Sequence, residues 1–435
     1  MIEMLSDRDV RAEEVVDTAR AADAAAGEGP AKLCPDWPER AERVLARLIN
    51  SPTATVRREG RLHFASPPLV TGPDILLQTS LLSALSAYAE WRGKPVALCA
   101  EIRQGLHAFV LPGHGSLRTH LFQQAADRAH SWLLCRSLVD LGRMALAGDT
   151  TCRAILLGAA GPAMAAARRF GYRWPVAFDP TTLRVLPGKA VSPAAPADVD
   201  AIYAFAMLQG HELTDYGIFL DEARAALSAA SSDRAGCSVW RGAAAARLWR
   251  LTGDRSGLAL AAAVIRSLPM RDDIDRAGIF LALDSLQRDA AETLDADSQR
   301  LIASFRKRLV LTPWEPAADA QEDWITRSPL AFALATGSGS LVEGAPFRLY
   351  SDCLIRRIER VGDHKLALEI DAFEDSIGTL AAVRLPRRRT PALTLTDERG
   401  TVIAPADPGP ALIRYALPCT RSLSLGWIPA KGPDS

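Results

Sequence analysis

The stretch LQGHELTDYGIFLDEAR sets six groups with proton or charge chemistry within twelve positions: His211, Glu212, Asp215, Tyr216, Asp221 and Glu222. His211 or Tyr216 has the chemistry of a general base or acid, and Glu212 with Asp215 supplies the pair of carboxylates that glycosidic hydrolysis requires. The same letters also describe a connection between two helices, with Thr214 or Asp215 as an N-cap and the acids on a first turn. A second constellation lies in CSVWRGAAAARLWR, where Trp240 and Arg241 are adjacent. An aromatic face for a sugar ring beside a guanidinium for its carboxylate makes these two, with His114, a substrate-binding set. The plainer account is a packed Trp opening a helix next to a solvated Arg.

His114 belongs to HAFVLPGHGSLRTHLF, where gaps of seven and six separate His107, His114 and His120, and His130 follows ten positions on. Zinc motifs use tighter pairs, such as i and i+4 on one helix face, so no metal is expected. A loop with Gly113 and Gly115 suits a single active-site histidine better. MRDDIDRAG offers Asp272, Asp273 and Asp275 to magnesium and a diphosphate, the chemistry of an isoprenoid-diphosphate-type synthase. Acidic capping of a helix from Arg276 is the simpler account. The basic LPRRRTP, residues 385 to 391, reads as a solvated loop between strands.

The whole chain narrows the partners. Its 435 residues carry 51 acidic and 51 basic side chains, so no global charge draws it to nucleic acid or an anionic membrane. The start, MIEMLSDRDVRAEEVVDTAR, has neither a basic nor an apolar leader region, and no run of about 18 apolar residues exists. A cytoplasmic location is expected. Seven cysteines, odd in number and never in CxxC pairs, fit reduced core thiols. Asn50 is the single asparagine, which excludes any mechanism needing several. No cofactor is called for, and oligomeric state is left open.

The elements that must position these groups are helical hairpins. Helices are expected over about 7 to 26 and from Pro38, with a short hairpin in TATVRREGRLHFASPP. Leu77, Leu81, Leu85 and Tyr88 form one helical face before Gly93, and Leu98, Ile102 and Leu106 continue on a return helix. LGRMALAGDTTCRAILLG repeats the design around Gly148, and ARLWRLTGDRSGLALAAAVIRSLP repeats it around Gly253. These glycines lie about 55 and about 105 residues apart, which excludes a 34-residue superhelix and points to units of about 53 with one turn missing near residue 200. From residue 345 the period changes to two. Leu366, Leu368 and Ile370, then Leu423, Leu425 and Trp427, mark strands of an antiparallel β-sandwich.

The phrases AAARLWRLTGDRSGLALAA and LLSALSAYAEWRGKPVALCA resemble the hairpins of (α/α)-toroid carbohydrate-active enzymes, especially polysaccharide lyases of the heparinase and alginate lyase type. The resemblance implies β-elimination from an acidic, uronate-containing oligosaccharide. In such lyases a neutraliser, Asn or Arg, shields the carboxylate while Tyr or His takes the C5 proton. In this chain Tyr216 or His211 would be the acid or base, Arg241 the carboxylate binder and Trp240 the stacking platform. The expectation is therefore a multidomain α+β protein. Residues 1–335 form an all-α toroid, complete or incomplete, and residues 345–435 an antiparallel β-sandwich-like domain. The alternatives are a non-catalytic helical-repeat module that binds protein, and third the diphosphate synthase.

Overall fold

The computed structural model describes residues 55–58, 60–64, 74–92, 96–121, 128–187, 196–229, 238–266, 276–290, 298, 302, 340–341, 345–351, 354–371, 378–384, 392–408, 412–417 and 422–428. The expected helices over 7 to 26 and from Pro38, the turn at Gly93, the aspartates of MRDDIDRAG and the basic 385–391 segment lie outside them. A hairpin of β1 (Thr55–Arg58) and β2 (Arg61–Phe64) leads into helices α1 (Ile75–Arg92) and α2 (Ala97–Leu106). Then come β3 (Ala129–His130), α3 (Ser131–Leu146), α4 (Thr150–Arg169), β4 (Ala177–Phe178) and β5 (Val185–Leu186). The helical run ends with α5 (Pro196–Thr214), α6 (Gly217–Ala229), α7 (Val239–Thr252), α8 (Arg255–Arg266) and α9 (Arg276–Asp289).

These helices sort into two rows by burial. Helices α1, α3, α5, α7 and α9 pack on one another in succession, while α2, α4, α6 and α8 each pack back on the helix before them. Sequence explains the sorting. Among the described residues of α8, Gly257, Ala261 and Val264 recur on a buried face, the stripe of an outer amphipathic helix. On α5 the run from Ala201 to Leu208 is buried all round, and Ala243 to Ala246 of α7 are fully buried. Small side chains there let neighbouring inner helices approach. Because each hairpin reverses the chain, the inner helices run parallel, and their C-terminal ends gather on one side.

The hairpins close as the sequence predicts around Gly148 and Gly253. Asp149 caps α4 by accepting from the Cys152 amide at 3.0 Å. Gly253 ends α7 in the left-handed region at φ 73°, a conformation that costs glycine little. Four residues on, Gly257 lies against the Ala245 carbonyl with no room for a Cβ, so α8 packs closely on α7. Pro162 sits inside α4 and the helix runs through it. The 53-residue register does not hold. Around residue 200, where a turn is missing from the pattern, the chain is already in α5, and the α5–α6 turn falls at Asp215 and Tyr216.

Beyond residue 340 all described elements are strands: β6 (Ser340–Leu341), β7 (Phe347–Ser351), β8 (Leu354–Gly362), β9 (Lys365–Asp371) and β10 (Gly378–Arg384), then β11 (Ala392–Asp397), β12 (Val402–Ile403), β13 (Asp407–Pro408), β14 (Leu412–Leu417) and β15 (Ser422–Ile428). They form two five-stranded antiparallel sheets, ordered β13-β14-β10-β7-β6 and β12-β11-β15-β9-β8. Leu366, Leu368 and Ile370 of β9 and Leu423, Leu425 and Trp427 of β15 point into one core with Phe347, Leu380 and Tyr415 of the other sheet. Phe347 meets Trp427 edge to face at 5.4 Å, joining the two sheets. The helical core, from Leu62 to Ile302, is a separate cluster.

Candidate functional site

Two polar groups lie on the inner helices, toward opposite ends. Toward the N-terminal ends, Arg136 of α3 pairs with Asp140 one turn on, at 3.6 Å, and both are about 2–3% exposed. Asp140 also accepts from the Ser80 hydroxyl of α1 at 2.8 Å. Arg136 lies 5.2 Å from the ring centre of Trp240 on α7, and Trp240 meets Phe205 of α5 edge to face at 5.5 Å. Arg247, two turns along α7, covers the same Phe205 ring at 4.8 Å. The result is a row across three inner helices in which two guanidinium groups flank a Trp–Phe pair.

Arg247 links this ladder to the C-terminal ends. Its Nε donates to Glu212 at 2.8 Å, and Nη2 donates to the same carboxylate. Arg250 Nη2 bonds the other oxygen of Glu212, and Arg250 Nε bonds Asp289 of α9 at 2.8 Å. Exposure rises outward, from 12% for Arg247 and 15% for Glu212 to 42% for Arg250. Beside this pair, His211 Nδ1 lies 3.2 Å from the Tyr216 carbonyl and its Nε2 lies 3.9 Å from Asp215. Asp215 holds φ 59°, left-handed and uncommon for a residue other than glycine, although aspartate tolerates it best. Tyr216, next on that turn, is 66% exposed.

The expected site residues thus divide. His211, Glu212, Asp215 and Tyr216 stand together, the first two in the last turn of α5 and not in a loop. Asp215 is not a helix cap, since α6 begins at Gly217. Trp240 and Arg241 sit at the other end of α7. Trp240 is 4% exposed and packed into the core, so a stacking platform is not what it offers here. Arg241 reaches the Leu227 carbonyl at 3.5 Å. His114 is exposed on the turn between Gly113 and Gly115, which packs over Gly158 of α4. Glu222 leaves the cluster altogether. Buried between α4, α5 and α6, it accepts from Arg168 at 2.5 Å, Tyr203 at 3.0 Å and Tyr172 at 3.3 Å.

Arg247, Arg250 and Asp289 are the members sequence reading missed. Two arginines spaced i, i+3 on an apolar inner helix were the available signal. His120 and His130 form a second pair of note, 5.2 Å apart ring to ring just before α3, both held down to about 4. Burial is the main cause, with the neighbouring histidine and Arg128 adding to it for His120, and Arg128 for His130. Among the described residues no three His, Cys, Asp or Glu side chains group to hold a metal, and no helix is long and apolar enough to cross a membrane.

No family model and no curated protein sequence matches the chain. Solved structures do. A family 76 glycoside hydrolase from a bovine Bacteroides thetaiotaomicron strain aligns over 69% of this chain and 76% of its own, at 12% identity and a TM-score of 0.50. A cellobiose 2-epimerase from Spirochaeta thermophila aligns over 68% and 90%, at 12% identity and a TM-score of 0.42. A family 127 β-L-arabinofuranosidase from Geobacillus stearothermophilus aligns over 97% and 81%, at 10% identity and a TM-score of 0.41. At such identities a likeness concerns the fold, and of these three the first reaches a TM-score that carries it. Over the aligned part this chain is thus similar in fold to a family 76 glycoside hydrolase, an (α/α)-toroid, and not specifically to the heparinase or alginate lyase type.

Proposed function

We propose that this chain is a carbohydrate-active enzyme with its site at the C-terminal ends of the inner helices, in a toroid body followed by a β-sandwich, the two divided near residues 335 to 345. The observation that carries the reading is the exposed Tyr216, on the turn at left-handed Asp215 that directly follows His211 and the ion-paired Glu212 in α5. An exposed aromatic next to fixed hydrogen-bonding charges is how a protein holds a sugar ring: apolar face on the ring, hydroxyls to the charges. The likeness to a glycoside hydrolase fold supports it.

Within that class the chemistry favours elimination from an acidic oligosaccharide. Glu212 is bonded by two guanidinium groups, which between them occupy both of its oxygens. Glu212 therefore positions Arg247 and Arg250, and proton chemistry falls to His211 and Tyr216. Arg250, the most exposed cation of the group, takes the carboxylate-binding role in place of Arg241. Tyr216 or His211 removes the proton on C5 while Arg250 stabilises the charge that develops on the carboxylate. The electron pair forms the C4–C5 double bond, and the glycosidic oxygen leaves with a proton from the other group.

Incubation with neutral and uronate-containing oligosaccharides distinguishes the outcomes. Ultraviolet absorbance of an unsaturated product reports elimination, and new reducing ends without it report hydrolysis. Elimination that Tyr216→Phe or His211→Ala abolishes is the expected result. Silence across both sets of substrates would remove the enzyme reading in favour of a binding module.

A further inference from the structure

We propose that Gln209 reads a hydroxyl of the bound sugar at the floor of this site, an inference that rests on the carbohydrate reading above. Gln209 is fully buried, and neither its amide nitrogen nor its carbonyl oxygen has a hydrogen-bond partner. Such groups destabilise the free protein, and an apolar side chain of the same size would remove the penalty. A buried amide left open in this way can take its partner in a ligand-bound state of the molecule.

Position ties that partner to the site. Phe205 lies four residues before Gln209 and Glu212 three residues after it, so the three share one face of α5. Phe205 carries Trp240 and Arg247, and Glu212 carries Arg247 and Arg250. Gln209 therefore stands one helical turn before the ion-paired carboxylate on α5, and is fully buried where Arg247 and Arg250 are 12% and 42% exposed. Opposite it, α3 offers Gly142. A Cβ there would overlap the Gln209 amide, so glycine is what leaves the group its space.

The amide also fixes the chemistry of the partner. It has two N–H donors and one carbonyl acceptor, and a single group that satisfies both kinds must donate and accept. A hydroxyl does so, whereas a carboxylate only accepts and an ammonium only donates. With Arg250 taking the sugar's carboxylate, Gln209 takes a ring hydroxyl, and the two fix the orientation of the ring.

The test compares the wild type with Gln209→Leu, similar in volume but without hydrogen-bonding atoms, and with Gln209→Met as a second apolar variant. Melting temperature is followed across titrations with neutral hexoses, pentoses and uronic acids. The expected result is a sugar-dependent rise in the wild type, a half-saturating concentration at least about tenfold higher in both variants, and variants no less stable than wild type without sugar. An equal response in wild type and variants overturns the inference, as does a wild type that responds to no sugar. Turnover is read separately. Sugar binding through Gln209 without turnover sinks the catalytic reading alone, and turnover with an unchanged KM in Gln209→Leu sinks this one alone.

Discussion

The two ends of the inner helices carry nearly the same residue types and put them to different uses. Toward the N-terminal ends an Arg–Asp pair and a Trp are enclosed at 2–4% exposure, where they hold α1, α3 and α7 together. At the C-terminal ends an Arg–Glu–Arg–Asp group and a Tyr open to solvent, with Arg250 at 42% and Tyr216 at 66% exposure. Burial makes the difference. A charge enclosed with its partner is committed to structure, because losing either leaves the other unpaired in a poor solvent for ions. A charge at the rim keeps hydrogen-bonding capacity for something that arrives.

Truncation at the two ends should separate these roles most sharply. Trp240→Ala should cost ~3–5 kcal/mol of unfolding free energy, measured by denaturant titration, because it empties a core position between Arg136 and Phe205. Tyr216→Ala should stay within about 0.5 kcal/mol of wild type and lower turnover of an oligosaccharide roughly a hundredfold. If Tyr216→Ala unfolds the protein while Trp240→Ala is silent, the comparison is inverted.

Next in size is Arg250→Gln. It should raise KM about tenfold, through the loss of ~1.4 kcal/mol of binding, while leaving stability within about 1 kcal/mol because the side chain is partly solvated. A change confined to stability would make Arg250 as structural as Arg136. Acid titration probes the closed end. Folding holds His120 and His130 down to about 4, against an ordinary value of 6.5, so between the two values they are neutral when folded while the unfolded chain binds more protons. The stability this contributes is complete above about pH 6.5 and is lost as pH falls toward 4. Melting curves from pH 7 to 4 should show that slope, flattened in a His120→Phe, His130→Phe double variant.

The smallest expected effect is Asp149→Ala, about 1 kcal/mol for the lost cap of α4. Its carboxyl sits below the usual range despite the opposing effect of burial, through the Cys152 amide and Arg103, so its contribution is present above the unfolded value and lost on acidification. Cys99, Cys135 and Cys152 are free and buried, and burial pushes all three thiols up. None should label with a thiol reagent at pH 8 in the folded protein.

Much of the fold was legible in the letters. The periods of Leu77, Leu81 and Leu85, the turn residues Gly148 and Gly253, and the alternation in β9 and β15 all appear where patterning placed them. Those features are local: a helix face, a left-handed turn and a pleat depend on neighbours a few residues apart. The repeat length failed because a single spacing was extrapolated through a Pro-rich interval, whereas each hairpin sets its own length. Trp240 failed as a platform because aromatic residues serve core and surface alike, and nothing within a few residues of it says which.

Sequence alone therefore determined the hairpins at Gly148 and Gly253, a change to strands expected from residue 345, the nearness along the chain of His211, Glu212, Asp215 and Tyr216, and the absence of a charge bias toward polyanions. Tertiary structure decided which of these groups share a site. Arg247 and Arg250 reach Glu212 from sequence separations of 35 and 38, and Asp289 joins through Arg250, while Glu222, only about ten residues from Glu212, is buried elsewhere. The physical reason is that periodicity fixes the face of a helix a residue occupies, but its neighbours and solvent depend on which helix packs against that face.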